Sequence, residues 1–189
     1  MRTQWIAIAV IVAVVLYIIV VFNRLVRLRN QVREGWSGID VQLRRRTDLV
    51  PNLVDTVKAY ATHERGLFEQ IATLRASSIA ADNVAKQAAA ERALKGALGR
   101  LLALAEGYPE LKANQNFLTL QEQLAEIEDQ LQMARRYYNG SARDLNVAIQ
   151  SFPSVLIARP FGFVEAAFFE LDDRDAAQAP KISLARGEP

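Results

Sequence analysis

The run WIAIAVIVAVVLYIIVVF, from Trp5 to Phe22, carries eighteen residues without a charge and limits what the rest of the chain can do. At ~1.5 Å per residue it makes roughly 27 Å of helix, close to the ~30 Å hydrocarbon thickness of a bilayer. Trp5 and the Phe22-Asn23-Arg24 boundary suit the two interfaces. A cleaved signal peptide is the rival, but its apolar run is usually only ~7–15 residues, and the following FNRLVRLRN offers no small-x-small cleavage site. The expectation is a short segment over 1–4 and an uncleaved transmembrane helix over 5–22. Arg2 alone precedes the span, whereas Arg24, Arg27, Arg29 and Arg33 follow it. The positive-inside rule therefore places the body in the cytoplasm and the short N-terminus outside.

Beyond the span the apolar period stays helical. Leu25, Leu28, Val32, Trp36, Ile39 and Leu43 recur at steps of three and four, so the transmembrane helix is expected to run on into the body. The stretch DVQLRRRTDLVPNLV then predicts a break: Arg44, Arg45 and Arg46 would close the first helix, Thr47-Asp48 would cap the second, and Pro51 would sit in its first turn. Leu53, Val54, Val57, Tyr60, Phe68, Ile71 and Leu74 mark that second helix, with a turn over 76–83. Leu94, Leu98, Leu101, Ala105 and Tyr108 mark a third, ended by Tyr108-Pro109. Phe117, Leu120, Leu124, Ile127, Leu131, Ala134 and Tyr138 form a heptad seam, extendable through Ser141 and Leu145 to Ile149, with Phe152-Pro153 as the stop.

The fold class this predicts is mainly α: an N-terminal transmembrane helix continuing into an antiparallel four-helix bundle over 23–153. In that arrangement the fourth helix returns to the bilayer and delivers the apolar segment 154–171. Phe152, Phe161, Phe163, Phe168 and Phe169 would then either lie in the membrane interface, as Trp5 does, or fold back to plug the bundle, and the sequence leaves both open. The remainder, 172–189, is polar and reads as a flexible tail.

Charge and chemistry narrow the function. With 23 basic and 21 acidic residues and a net charge of +2, nothing points to nucleic acid. There is no cysteine, and His63 is the one histidine, followed by Glu64 but lacking the second histidine of HExxH. His63 therefore reads as a packing residue on a helix. Glu122, Glu126 and Asp129 read as a solvated face beside the seam. Neither a phosphate loop nor a nucleophile elbow is present, so no catalytic, cofactor-binding or metal residue is assigned and no cofactor is expected.

At DVQLRRRTDLVPNLVDTVKAYATHE the chain resembles the LemA family of bacterial membrane proteins. The resemblance takes in LVRLRNQVREGWSGI, AEGYPELKANQNFLTLQEQLAEIED and ARRYYNGSARDLNVAIQSFPS, covering roughly residues 22 to 163. It implies a single N-terminal span, a helical bundle in the cytoplasm and a role at membranes, as in a magnetosome-associated branch. It supplies no reaction. The functional expectation is a non-enzymatic, membrane-anchored scaffold in the bacterial inner membrane that self-associates and organises or shapes it. Gly35, Trp36 and Gly38 are candidate contacts between copies. Arg44, Arg45 and Arg46, at the membrane-distal tip, are candidate contacts for a copy or for a partner enzyme, the latter making the protein an adaptor.

Overall fold

The computed structural model describes residues 2–170, so the tail over 172–189 and the last residue of the apolar segment lie outside the described residues. The described chain is mainly helical, without a strand. Helix α1 covers Arg2–Lys58, α2 Arg65–Ile79, α3 Val84–Ala105, the short α4 Pro109–Lys112, α5 Gln115–Gln150 and the short α6 Val155–Ala158. Asn83 caps α3 by accepting from the Lys86 amide, and Asn114 caps α5 by accepting from the amides of Asn116 and Phe117. Pro109 stands where proline is best tolerated, at the start of α4.

The break expected after Arg46 does not form: α1 is one helix of 57 residues and passes straight through Thr47, Asp48 and Pro51. A proline inside a helix removes the N–H that would bond the carbonyl four residues earlier, here Thr47. That carbonyl instead accepts from Arg75 Nε of α2 at 2.6 Å. A neighbouring helix thus supplies the donor that proline lacks, and the local capping pattern is overridden. The chain turns only after Lys58, over 59–64. His63 lies there, exposed, rather than packed on a helix as its surroundings predict.

From the distal turn α2 runs back along α1, and α3 returns beside α2, with Arg100 donating to Gln70 at 2.9 Å. The end of α1 buries Val50, Leu53 and Val57 with Phe68 and Ile71 of α2, Leu94 and Leu101 of α3, and Phe117 and Leu124 of α5. At the distal end Asn114 donates to the Tyr60 hydroxyl at 3.2 Å, tying two turns together. Helix α5 then descends antiparallel along α1. Its seam residues Phe117, Leu124, Ile127, Leu131, Tyr138, Ser141, Leu145 and Ile149 are buried, and Asn139-Gly140 does not interrupt it. Near the base, Val21 and Leu25 pack with Leu145, Ala148, Ile149, Ile157 and Phe163.

Close approach of α1 and α5 hinges on Gly35. A Cβ there would lie 2.9 Å from the Tyr138 Cα, which is backbone and cannot rotate aside. At Gly38 the added carbon would meet only the Ala134 Cβ, at 3.9 Å.

Two expected outcomes follow, both read by urea denaturation of the detergent-solubilised chain. Helix propensity favours Ala over Gly by about 1 kcal/mol, but overpacking costs about 1–3 kcal/mol. Gly35→Ala should therefore lower stability and Gly38→Ala should raise it. Arg75→Leu should cost about 1–3 kcal/mol by leaving a buried carbonyl unpaired. Most of that cost should vanish in a Pro51→Ala background, where the intrahelical bond returns. Strictly additive effects would contradict this account of Thr47.

Candidate functional site

Arg46, expected at an exposed tip, is fully buried where α1, α3 and α5 meet. It ion-pairs with Glu91 of α3, also fully buried, and with Glu128 of α5, whose side chain is partly exposed. Ser78 of α2 donates to Glu91, and Gln87 donates to the same carboxylate at 2.9 Å. Lys95 stands 3.8 Å from the second oxygen of Glu128. Three helices thus meet on one guanidinium, and α2 joins them through Glu91. The geometry follows from α1 running on: the stripe Ile39, Leu43, Val50, Leu53 and Val57 places Arg46 on the buried face. Arg44 and Arg45 face outward, Arg44 paired with Asp40 at 2.8 Å and Arg45 bonded to Gln42 at 3.3 Å.

Nearer the base, the segment after α6 lies extended in a groove between α1 and α5. Asn146 both donates to the Ala166 carbonyl, at 2.9 Å, and accepts from its amide, at 2.8 Å. Asn139 does the same for Phe169, at 3.1 and 2.9 Å. The Tyr138 hydroxyl donates to the Ala167 carbonyl at 2.7 Å, and burial pushes its pKa above the ordinary tyrosine value. Phe163 lies edge-on to Phe22 and beneath Arg29, whose guanidinium is 5.1 Å from its ring centre. Phe169 is fully buried and edge-on to Trp36.

The rings expected to behave alike are therefore divided. Phe163 and Phe169 pack on the helices, whereas Phe152 is 80% exposed and Phe161 56%, with Leu156 exposed beside them. Phe161 touches Phe22 edge-on at 5.1 Å between ring centres, which puts these exposed residues level with the end of the apolar run. Phe168 is exposed at the rim of a cleft of about 470 Å³ that Lys95, Arg136 and Arg143 also line. Trp5 and every large apolar side chain from Ile6 to Val20 are exposed, so this length of α1 is covered by no other element among the described residues. It is the one described helix long and apolar enough to cross a membrane. Gly35 and Trp36, considered as contacts between copies, are engaged within the chain, Gly35 against Tyr138 and Trp36 against Tyr138 and Phe169; Gly38 is exposed.

Glu91 is the residue that sequence reasoning missed. A signal was present, because Glu91, Leu94, Leu98 and Leu101 form one stripe, as do Leu43, Arg46 and Val50. Opposite charges on two apolar stripes point to a buried pair. Chemically the cluster is a clamp: both carboxylates are engaged by one guanidinium. Among the described residues, no group of three or more His, Cys, Asp or Glu is placed to hold a metal.

Arg46→Met should destabilise the folded chain by about 3–5 kcal/mol, because it leaves Glu91 buried without its charge partner. The double change Arg46→Met with Glu91→Met should recover most of that loss. Thermal melts of the two proteins, followed by circular dichroism, decide the matter, and equal stability of Arg46→Met and the parent would contradict the clamp.

The model of the LemA family matches residues 35–184. Among similar proteins is the magnetosome protein MamQ of Magnetospirillum gryphiswaldense, 26% identical over 199 residues, spanning 92% of this chain and 72% of that protein. Magnetosome protein MamQ 2 of Paramagnetospirillum magneticum is 24% identical over the same shares of both chains. Protein LemA of Metamycoplasma hominis is 25% identical over 156 residues, 80% of this chain and 69% of its own. With the family model covering most of its length, and with the buried Arg46 inside the matched region, the chain belongs to the LemA family.

Proposed function

We propose that this LemA-family chain is a non-enzymatic, membrane-anchored helical scaffold of the bacterial inner membrane that self-associates and organises the bilayer around it. The observation that carries the reading is the continuity of α1, whose bare apolar length from Trp5 to Val20 runs without a break into the helical body. An anchor joined by a flexible linker leaves its domain free to tumble, whereas one helix transmits tilt and rotation directly. The exposed rings of Phe152 and Phe161, level with Phe22, give the body a second apolar footing at the membrane surface. From Arg24 to Lys58 the helix rises about 50 Å, so the distal end of the bundle formed by α1, α2, α3 and α5 stands well clear of the headgroups. The similarity to magnetosome protein MamQ is in keeping with a role at a membrane.

The adaptor alternative loses part of its basis, since Arg46 is enclosed and the distal end lies at the turns over 59–64 and 106–114. Orientation with the body in the cytoplasm rests on Arg24, Arg27, Arg29 and Arg33.

Because the chain has no cysteine, single cysteines report position cleanly. Environment-sensitive labels at Phe152→Cys and Phe161→Cys should be quenched by lipids brominated near the headgroup, and a label at Lys58→Cys should not. In intact cells a membrane-impermeant thiol reagent should modify Thr3→Cys and leave Lys58→Cys untouched. Light scattering in detergent should give a mass above one chain that rises with concentration. A monomer at every concentration would end the scaffold reading.

A further inference from the structure

The groove that holds residues 163–170 has the repeat of a site built for extended chain. Its walls are periodic: α1 contributes Phe22, Arg29 and Trp36, and α5 contributes Asn139 and Asn146, in each case at a spacing of seven. Seven helical residues rise about 10.5 Å, and three residues of extended chain cover about 9–10 Å. Each two turns of helix therefore meet every third residue of the occupant. The occupant obeys this period: Phe163, Ala166 and Phe169 face inward, while Val164, Glu165, Ala167 and Phe168 are exposed. Asn139 and Asn146 each bond both backbone groups of one residue, which any residue type could offer, and the ring pockets at the two ends select aromatic side chains.

We propose that this groove is an extended-peptide site for the pattern aromatic-x-x-small-x-x-aromatic, and that it accepts segment 163–170 of a second copy in exchange for the chain's own. The segment forms no strand ladder, and the side chains of Tyr138, Asn139 and Asn146 hold its backbone, so release breaks no secondary structure. Naming a second copy as donor rests on the self-association reading: copies anchored through the same helix carry groove and segment at the same height, so exchange between neighbours needs only lateral approach. Within one copy the short connection gives the chain's own segment a high effective concentration, and crowding in the bilayer is what offsets it.

Complementation between two full-length variants tests this. The acceptor carries Phe163→Ala and Phe169→Ala, which free its groove. The donor carries Asn139→Ala and Asn146→Ala, which disable its groove but leave its segment intact. Mixed in lipid nanodiscs sized for several chains, they should co-purify at least about tenfold above either variant tested for pairing with itself, the loss expected when bonds of this kind are removed. A labelled peptide with the sequence of residues 161–171 should bind the acceptor and fail to bind an acceptor that also carries the two Asn changes. If the acceptor keeps wild-type helicity yet binds neither donor nor peptide, the proposal is overturned. Should the acceptor not fold, p-benzoylphenylalanine in place of Phe168, in an equal mixture of two tagged but otherwise wild-type chains, decides. Cross-links from one tag to the other that map to α5 support exchange, and cross-links confined to single chains overturn it. Self-association that survives Asn139→Ala with Asn146→Ala undiminished leaves the scaffold reading standing and removes the groove from it. Peptide binding by a monomeric acceptor does the reverse, keeping the peptide site while removing the second copy as its donor.

Discussion

Everything in this molecule depends on α1 crossing the stretch Arg46 to Pro51 as helix. Two obstacles stand there: a charged side chain on the buried stripe and a proline that strips the Thr47 carbonyl of its partner. Neither is resolved within α1. Arg75 of α2 bonds the carbonyl, and Glu91 of α3 and Glu128 of α5 receive the guanidinium. An uncompensated buried charge costs several kcal/mol, and an unpaired buried carbonyl about 1–3 kcal/mol, so the helix is continuous only if the other three are in place. Local conformation and tertiary assembly are coupled at this one point. The coupling also dictates where the chain turns, because α2 must end up beside Thr47 with its Arg75 pointing inward.

Once α1 is continuous, the remainder follows from register. Helix α5 descends along it with Tyr138 against Gly35, and the small residue lets the two backbones approach closely enough for the seam from Phe117 to Ile149 to fill. Lower down α1 and α5 run side by side with the short α6 at their base, and the groove between them is closed by the chain's own extended segment. At the base the apolar stripe ceases at Val20 to have a partner among the described residues, and the exposed rings of Phe152 and Phe161 stand at the same level. The membrane reading grows from that coincidence of height, since an exposed apolar surface of this length is what a bilayer would cover.

Much of this was legible in the sequence. The apolar run, the seam of α5 and the end of α3 before Pro109 all rest on local patterns that nothing in the assembly opposes. The turn after Arg46 was misread for a specific reason. Thr47, Asp48 and Pro51 make a sound helix start when only near neighbours are weighed, and the donor that makes Pro51 tolerable lies 28 residues beyond Thr47, at Arg75. The step from Leu43 to Arg46 to Val50 was nevertheless on the stripe, and Glu91 stood on the facing one. The division of the phenylalanines was harder, because Phe163 and Phe169 are buried with a period of three that belongs neither to helix nor to strand. Only the pair of asparagines seven apart, Asn139 and Asn146, hints at it.

The central claim is that α1 is one unbroken helix from its apolar run to Lys58. The most direct measurement is the distance between spin labels at Arg27→Cys and Lys58→Cys, by pulsed electron resonance on the reconstituted chain. Thirty-one helical steps at ~1.5 Å give about 46 Å, and a single narrow distribution near that value is the expected result. A helix ending at Arg46 and doubling back through Pro51 would bring the two labels to within about 20 Å. A distribution centred there would contradict the account.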